Sequence, residues 1–172
     1  FTLKNKKSYD ERRPLELKGK ICGVFGLGGI GALIAEKLNS FGMKIVGYND
    51  EMVPLSHVYQ NIFLYKNLPE TVNKLDVLIS SAPLTLKTKK IFSKKIFKKM
   101  KNESIFINIS RGGLVDTDAF RDKKISSKFR GIGLDVTDPE PLPRNHFLQK
   151  LDNVILSNHT AGPSDQNRQR SL

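Results

Sequence analysis

The chain has 172 residues, 38% hydrophobic and 27% charged, with 13 Gly and 8 Pro, which allows one well-buried globular domain and excludes a disordered, collagenous or coiled-coil chain. Its 29 Lys+Arg against 17 Asp+Glu give a formal net charge of +12, so nucleic acid is the first partner to weigh. The single cysteine, Cys22, excludes an internal disulfide or a cysteine-based zinc site and fits a reducing, cytoplasmic setting; no apolar stretch is long enough to span a membrane.

Residues 1–17 are polar and basic, lack the apolar core of a signal peptide, and read as a connecting lead-in to a domain over 18–172. A start at Phe1 reads as a piece of a longer chain. The apolar run 21–25 (ICGVF) predicts a strand. A glycine cluster follows, and then Ile30, Leu33, Ile34, Leu38 and Phe41 repeat at helical spacing. Gly42 is placed to end that helix in a left-handed conformation, and 44–48 (KIVGY) predicts the next strand, completing a βαβ unit. Further strands are expected at 62–65, 76–80, 104–109, 130–136 and 153–157, with helices over 69–74, 93–100 and 117–124. In the last of these, Lys123 and Lys124 stand where a core-facing apolar pair is expected. Strands alternating with helices imply an α/β fold, a doubly wound parallel sheet covered by helices on both faces.

Much of the positive charge is local. Eight lysines and no acids fall within 87–101 (KTKKIFSKKIFKKMK), where Phe92, Ile96 and Met100 repeat at helical spacing. That pattern predicts an amphipathic helix with a solvated face, and argues against a dedicated nucleic-acid surface.

Four places carry chemistry. Gly26-x-Gly28-x-x-Gly31, between a strand and a helix, suits a pyrophosphate: the glycines permit a tight turn, close backbone approach and close helix packing, and the helix N-terminus offers free N–H groups. Asp50 lies 19 residues after Gly31, where a ribose-binding carboxylate belongs. Arg111 follows directly on a predicted strand. Its fork could hold a carboxylate at the sheet's carboxyl edge, or it could simply cap a turn. Leu134 to Pro143 and Ser157 to Gly162 follow the last two strands and would face the same crevice. A carboxylate near an imidazole fixes its tautomer and readies it for proton transfer, although a single histidine such as His159 is more often structural than catalytic. His57 and His146 lie in loop-like surroundings and read as surface residues.

These motifs, with Ala82-Pro83-Leu84-Thr85, occur in the order and at the intervals of the D-isomer-specific 2-hydroxyacid dehydrogenases, and residues 15–162 resemble the Rossmann-type NAD-binding domain of that family. The resemblance implies that Arg111 binds the substrate's carboxylate and carbonyl oxygen, that His159 is the general acid/base, and that Glu140 supports it. It also implies that Gly26, Gly28, Gly29, Ile30 and Gly31 approach the pyrophosphate, that Ala82, Pro83, Thr85, Ile109 and Ser110 line the cofactor, and that Asp135 contacts the nicotinamide carboxamide. The family's Tyr-Asp after the second strand becomes Tyr48-Asn49-Asp50, so Asn49 takes the ribose-contact position and Asp50 is displaced by one. NAD is favoured over NADP, because Asp50 and Glu51 repel a 2′-phosphate and Lys44, the nearest upstream cation, is at the far end of its strand. A homodimer acting on a 2-hydroxy or 2-oxo acid is implied. The substrate domain of the family is absent from the sequence, so little activity is expected of this chain alone. An NAD(H)-sensing module of the same fold, corepressor-like, and a nucleic-acid-binding protein are the competing readings.

Overall fold

A computed structural model describes residues 14–162. Of the lead-in expected over 1–17, residues 1–13 lie outside the described range, and 14–17 carry no regular element. Seven strands form one sheet: β1 (Ile21–Phe25), β2 (Lys44–Asn49), β3 (Tyr59–Leu64), β4 (Val77–Ser80), β5 (Ile105–Asn108), β6 (Gly131–Leu134) and β7 (Val154–Leu156). Their order is β3-β2-β1-β4-β5-β6-β7 and every neighbouring pair is parallel. The chain winds outward from β1 to β3 and returns to β4 on the other side of β1. A crevice is therefore left where β1 and β4 end, the place where such sheets receive ligands.

The inner strands are apolar because both faces are covered, whereas the edge strands β3 and β7 expose residues such as Gln60 and Ile155. Along β1, Phe25 faces one core, with Tyr48, Leu78, Phe92, Phe97 and Phe106, while Cys22 and Val24 face another, with Ala35, Ile45, Val77 and Ile79. Burial pushes the Cys22 thiol up to about 12, so it is a packing residue with little thiolate.

Helix α1 (Gly29–Ser40) ends as expected, with Gly42 at φ +80° donating its N–H to Asn39 O. The face it buries is shifted from the expected one, with Ile34 and Leu38 only partly buried against the core. Gly31 and Ala35 are buried, whereas Ile30, Leu33 and Phe41 are each more than half exposed. A Cβ on Gly31 would lie 1.9 Å from Gly26 O, so the helix sits too close to the β1 turn for large side chains.

The other helices are shorter than the pattern predicted. α2 (Leu68–Thr71) is one turn flanked by 3-10 turns at Tyr65–Asn67 and Val72–Lys74. In the lysine-rich stretch the helix expected over 93–100 forms as α3 (Lys94–Lys99), and Phe92, just ahead of it, pairs with Val115 in an isolated parallel bridge. Four of its eight lysines have specific partners: Lys87 on Asp50, Lys94 on Asp122, Lys101 on Asp76, and Lys99 on Pro69 O. Lys128 caps the end of α3 by donating to the carbonyls of Phe97, Lys98 and Met100. The helix expected over 117–124 is a 3-10 stretch, Thr117–Arg121, and then α4 (Lys123–Ser126). Asp122 separates the two, accepting from Lys124 N–H as an N-cap, so Lys123 and Lys124 open a new helix and Phe120 and Ile125 fill the core. No helix among the described residues is long and apolar enough to cross a membrane.

Candidate active site at the carboxyl edge of the sheet

The turn after β1 is shaped by what its glycines lack. Gly26 has φ +95°, and a Cβ there would meet Ala82 N at 2.6 Å, so β1 and β4 close on each other at backbone distance. The Ser81 hydroxyl donates to Gly26 O at 2.9 Å and fixes that carbonyl. Gly28 and Gly29 are different: nothing lies within 4 Å of a Cβ on either. The N-terminus of α1 carries no side-chain cap and no acid in its first turn. An open, uncapped turn with free N–H groups fits the pyrophosphate of a dinucleotide.

The wall at β2 holds Asn49 and Asp50. Asn49 Oδ1 accepts from Leu27 N–H at 3.4 Å and Nδ2 donates to Glu51 O at 3.1 Å, so Asn49 braces the glycine turn. Asp50 is paired with Lys87, whose Nζ is 3.0 Å from Oδ1. On the opposite wall the loop after β4 is tied internally: Thr88 Oγ1 donates to Pro83 O at 2.7 Å and accepts from Thr85 N–H at 2.8 Å. Pro83 and Thr85 are thereby fixed beside buried Ala82.

The loop carrying Arg111 rests on a buried polar network. Asn108, fully buried, accepts from both the N–H and the hydroxyl of Ser110 and donates to Arg111 O. Ser110 also bonds Ser80 across the sheet at 2.9 Å, and Ile109 N–H donates to Ser80 O. Arg111 itself is exposed, and its Nη1 donates to Ser110 O. Behind it, a Cβ on Gly112 would lie 2.0 Å from Thr137 O, so the loops after β5 and β6 are in backbone contact.

After β6 and β7 the candidate proton-transfer pair is formed. His159 Nδ1 is 2.6 Å from Glu140 Oε1, both side chains partly exposed. With Nδ1 engaged, Nε2 is the nitrogen left to exchange a proton. His159 has φ +55°, an uncommon conformation for a residue with a side chain, and its N–H donates to Asp135 O. The Asp135 carboxylate holds the same loop: Oδ1 accepts from the Ser157 hydroxyl and Thr160 N–H, Oδ2 from Ala161 N–H. Burial pushes the Asp135 carboxyl up, but the Ser157 hydroxyl, these two N–H groups and the nearby His159 outweigh it, so it titrates below the usual carboxylate range. Oδ2 keeps one acceptor position for a further donor. A cleft of about 650 Å³ opens beside the pair, lined by Asp135, Glu140, Leu142, Leu156 and His159 among others.

The residues singled out in the sequence thus stand on one edge of one sheet, on loops that touch in succession. Sequence reasoning missed Asn108, Ser80 and Ser81, whose signal was a polar residue ending an apolar strand, and Lys87, whose contact with Asp50 nothing in the sequence marks. His146 is a cap of the 3-10 turn Phe147–Lys150, its Nδ1 accepting from Leu148 N–H.

The sequence matches the family described as "D-isomer specific 2-hydroxyacid dehydrogenase, NAD binding domain" over residues 2–161. It is 38% identical over 156 residues to the glyoxylate reductase of Thermofilum pendens, covering 90% of this chain and 46% of that protein. Among solved structures, the TT0316 protein from Thermus thermophilus superposes with a TM-score of 0.84 at 33% identity, over 98% of this chain and 52% of the other. A D-isomer specific 2-hydroxyacid dehydrogenase from Xanthobacter autotrophicus Py2, in complex with NADPH and MES, gives 0.81 at 26% identity, over 91% and 64%. The chain spans about half the length of the curated relatives it matches.

Proposed function

Because the chain belongs to the D-isomer specific 2-hydroxyacid dehydrogenases, as their NAD-binding domain, we propose that it is the cofactor half of an oxidoreductase that interconverts a D-2-hydroxy acid and its 2-oxo acid. The observation that carries the reading is the His159–Glu140 pair, 2.6 Å apart on the same sheet edge as the open glycine turn. Gly28, Gly29 and the first turn of α1 hold the pyrophosphate, with Gly26, Ile30 and Gly31 shaping the turn. Asn49 and Asp50 face the adenosine ribose, and Ala82, Pro83, Thr85, Ile109 and Ser110 line the opposite wall. When bound, the nicotinamide supplies the hydride acceptor or donor.

In the oxidation direction His159 Nε2 takes the hydroxyl proton as the carbon–hydrogen bond is lost, and Glu140 stabilises the imidazolium that forms. Arg111 stabilises the oxygen as it becomes a carbonyl and holds the substrate carboxylate through its fork. In reduction the protonated His159 returns the proton. Asp135 holds the histidine loop, and its remaining acceptor position on Oδ2 suits a carboxamide N–H. Glyoxylate and related 2-oxo acids are the substrates to try first, as the similarity to a glyoxylate reductase suggests. The complete enzyme is proposed to be a cytoplasmic homodimer, its mass to be read by light scattering.

The test is steady-state glyoxylate reduction by the complete enzyme. His159→Gln is expected to lower kcat by a factor of about 100 or more while NADH affinity stays within about threefold. A His159→Gln enzyme with undiminished kcat overturns the proposal.

A further inference from the structure

Asp50 lies one residue past β2, and Lys87 lies in the loop after β4. These strands flank β1 on opposite sides, so the two side chains can meet only over the carboxyl end of β1, across the glycine turn. They do meet: Lys87 Nζ is 3.0 Å from one Asp50 carboxylate oxygen and 3.1 Å from the other. The contact bridges the adenosine end of the crevice, at the carboxylate proposed to face the ribose. The side chains are 72% and 48% exposed, so this is a solvated pair that a ligand can open at little cost.

A carboxylate at this place rejects a ribose 2′-phosphate by charge and accepts ribose hydroxyls as donors. Lys87 changes both statements. Its ammonium offsets the Asp50 charge, and its long flexible stem can carry three N–H donors from the carboxylate to a phosphate oxygen nearby. Asn49, in the adjoining position, is neutral and already engaged with Leu27 N–H and Glu51 O, so it adds no repulsion, and of the two carboxylates here only the exposed, solvated Glu51 is left to oppose a phosphate. The same clasp can therefore present its carboxylate to an unsubstituted ribose or its ammonium to a phosphorylated one.

We infer that Lys87 is a cofactor-specificity residue, and that the Lys87–Asp50 clasp admits NADPH alongside NADH. The inference rests on the reading of this crevice as a dinucleotide site.

The test is a fluorescence titration of the 172-residue chain with NADH and with NADPH, for the wild type, Lys87→Ala and Asp50→Asn. Wild type is expected to bind both, with dissociation constants within about tenfold of each other. Loss of one charge-assisted contact predicts that Lys87→Ala weakens NADPH relative to NADH by about fivefold or more. Asp50→Asn should move the ratio the opposite way. Raising the salt should weaken NADPH more than NADH in wild type, and this difference should shrink in Lys87→Ala. NADH binding by Lys87→Ala doubles as the check that the variant is folded. NADPH more than about tenfold weaker than NADH in wild type, or a ratio moved by less than about fivefold in Lys87→Ala, overturns the inference and leaves the dehydrogenase reading standing. Binding of neither nucleotide to wild type overturns both.

Discussion

The turn after β1 and the loops after β5 and β6 share one edge of one sheet, yet they are held by opposite means. At the turn, side chains are missing: Gly26 and Gly31 let backbone meet backbone where any Cβ would collide. At the loops, apart from the one close backbone approach at Gly112, side chains reach inward: Asn108 and Asp135 are buried and direct polar atoms to the backbone of the segments that carry Arg111 and His159. The difference matches what each rim is proposed to meet. A pyrophosphate is bound by N–H groups that must come close, so bulk is excluded. An arginine and a histidine that handle a substrate must be aimed, so their loops are stapled from below.

The comparison breaks most readily at its tightest points. Gly31→Ala places a Cβ 1.9 Å from Gly26 O, and Gly112→Ala places one 2.0 Å from Thr137 O. Neither obstacle is a flexible side-chain end, so each substitution is expected to cost about 3 kcal/mol or more in urea unfolding. A loss under about 1 kcal/mol would show that the edge is looser than described. Next is Asn108→Ala, which leaves Ser110 N–H and Arg111 O without their partner in a buried site. The expected loss is about 2–4 kcal/mol, with the Arg111 loop the first segment to lose amide-exchange protection.

Asp135 tests the same rim through pH. Its folded carboxyl titrates below the ordinary value, so it contributes stability that is present above about pH 4 and is lost as pH falls through the folded value. Asp135→Asn should therefore destabilise the chain by about 1–3 kcal/mol at pH 7 and flatten the acid limb of stability against pH. Asp76 is a second contributor to that limb. Burial raises its carboxyl, but Ile21 N–H and Lys101 outweigh the burial and bring it down, so the variant's limb is flattened and not abolished.

The parallel sheet was legible because its strands are short apolar runs bounded by glycine and polar residues, and the glycine turn because its spacing has a mechanical reason. Arg111 and His159 could be singled out because each follows a strand, which puts it at the carboxyl edge whatever the helices do, whereas Glu140 was marked only by the resemblance to the dehydrogenase family. Less legible was the exposure of Ile30, Leu33 and Phe41: periodicity marks an apolar face, but only the closeness of Gly31 to Gly26 O decides that the buried side is the small one. Contacts between distant segments were not legible at all. Lys87 reads as one of eight lysines until the order β2-β1-β4 brings it to Asp50, 37 residues away. The lysine-rich helix was legible to within a residue at each end, but the pairing of Phe92 with Val115 just ahead of it was not.

Gly28→Ala is expected to have the smallest effect on the folded chain and separates the two rims most cleanly. Nothing lies within 4 Å of the new Cβ, and the backbone at φ −68°, ψ −175° suits alanine. Unfolding should shift by less than about 1 kcal/mol, reflecting only a poorer residue at the N-cap. NADH binding should nevertheless weaken by about tenfold or more, because the methyl group occupies the path by which backbone approaches pyrophosphate. A variant unchanged in both would move the phosphate site away from this turn. A variant impaired in stability as well would mean that the open space at Gly28 belongs to the fold and was never reserved for the ligand.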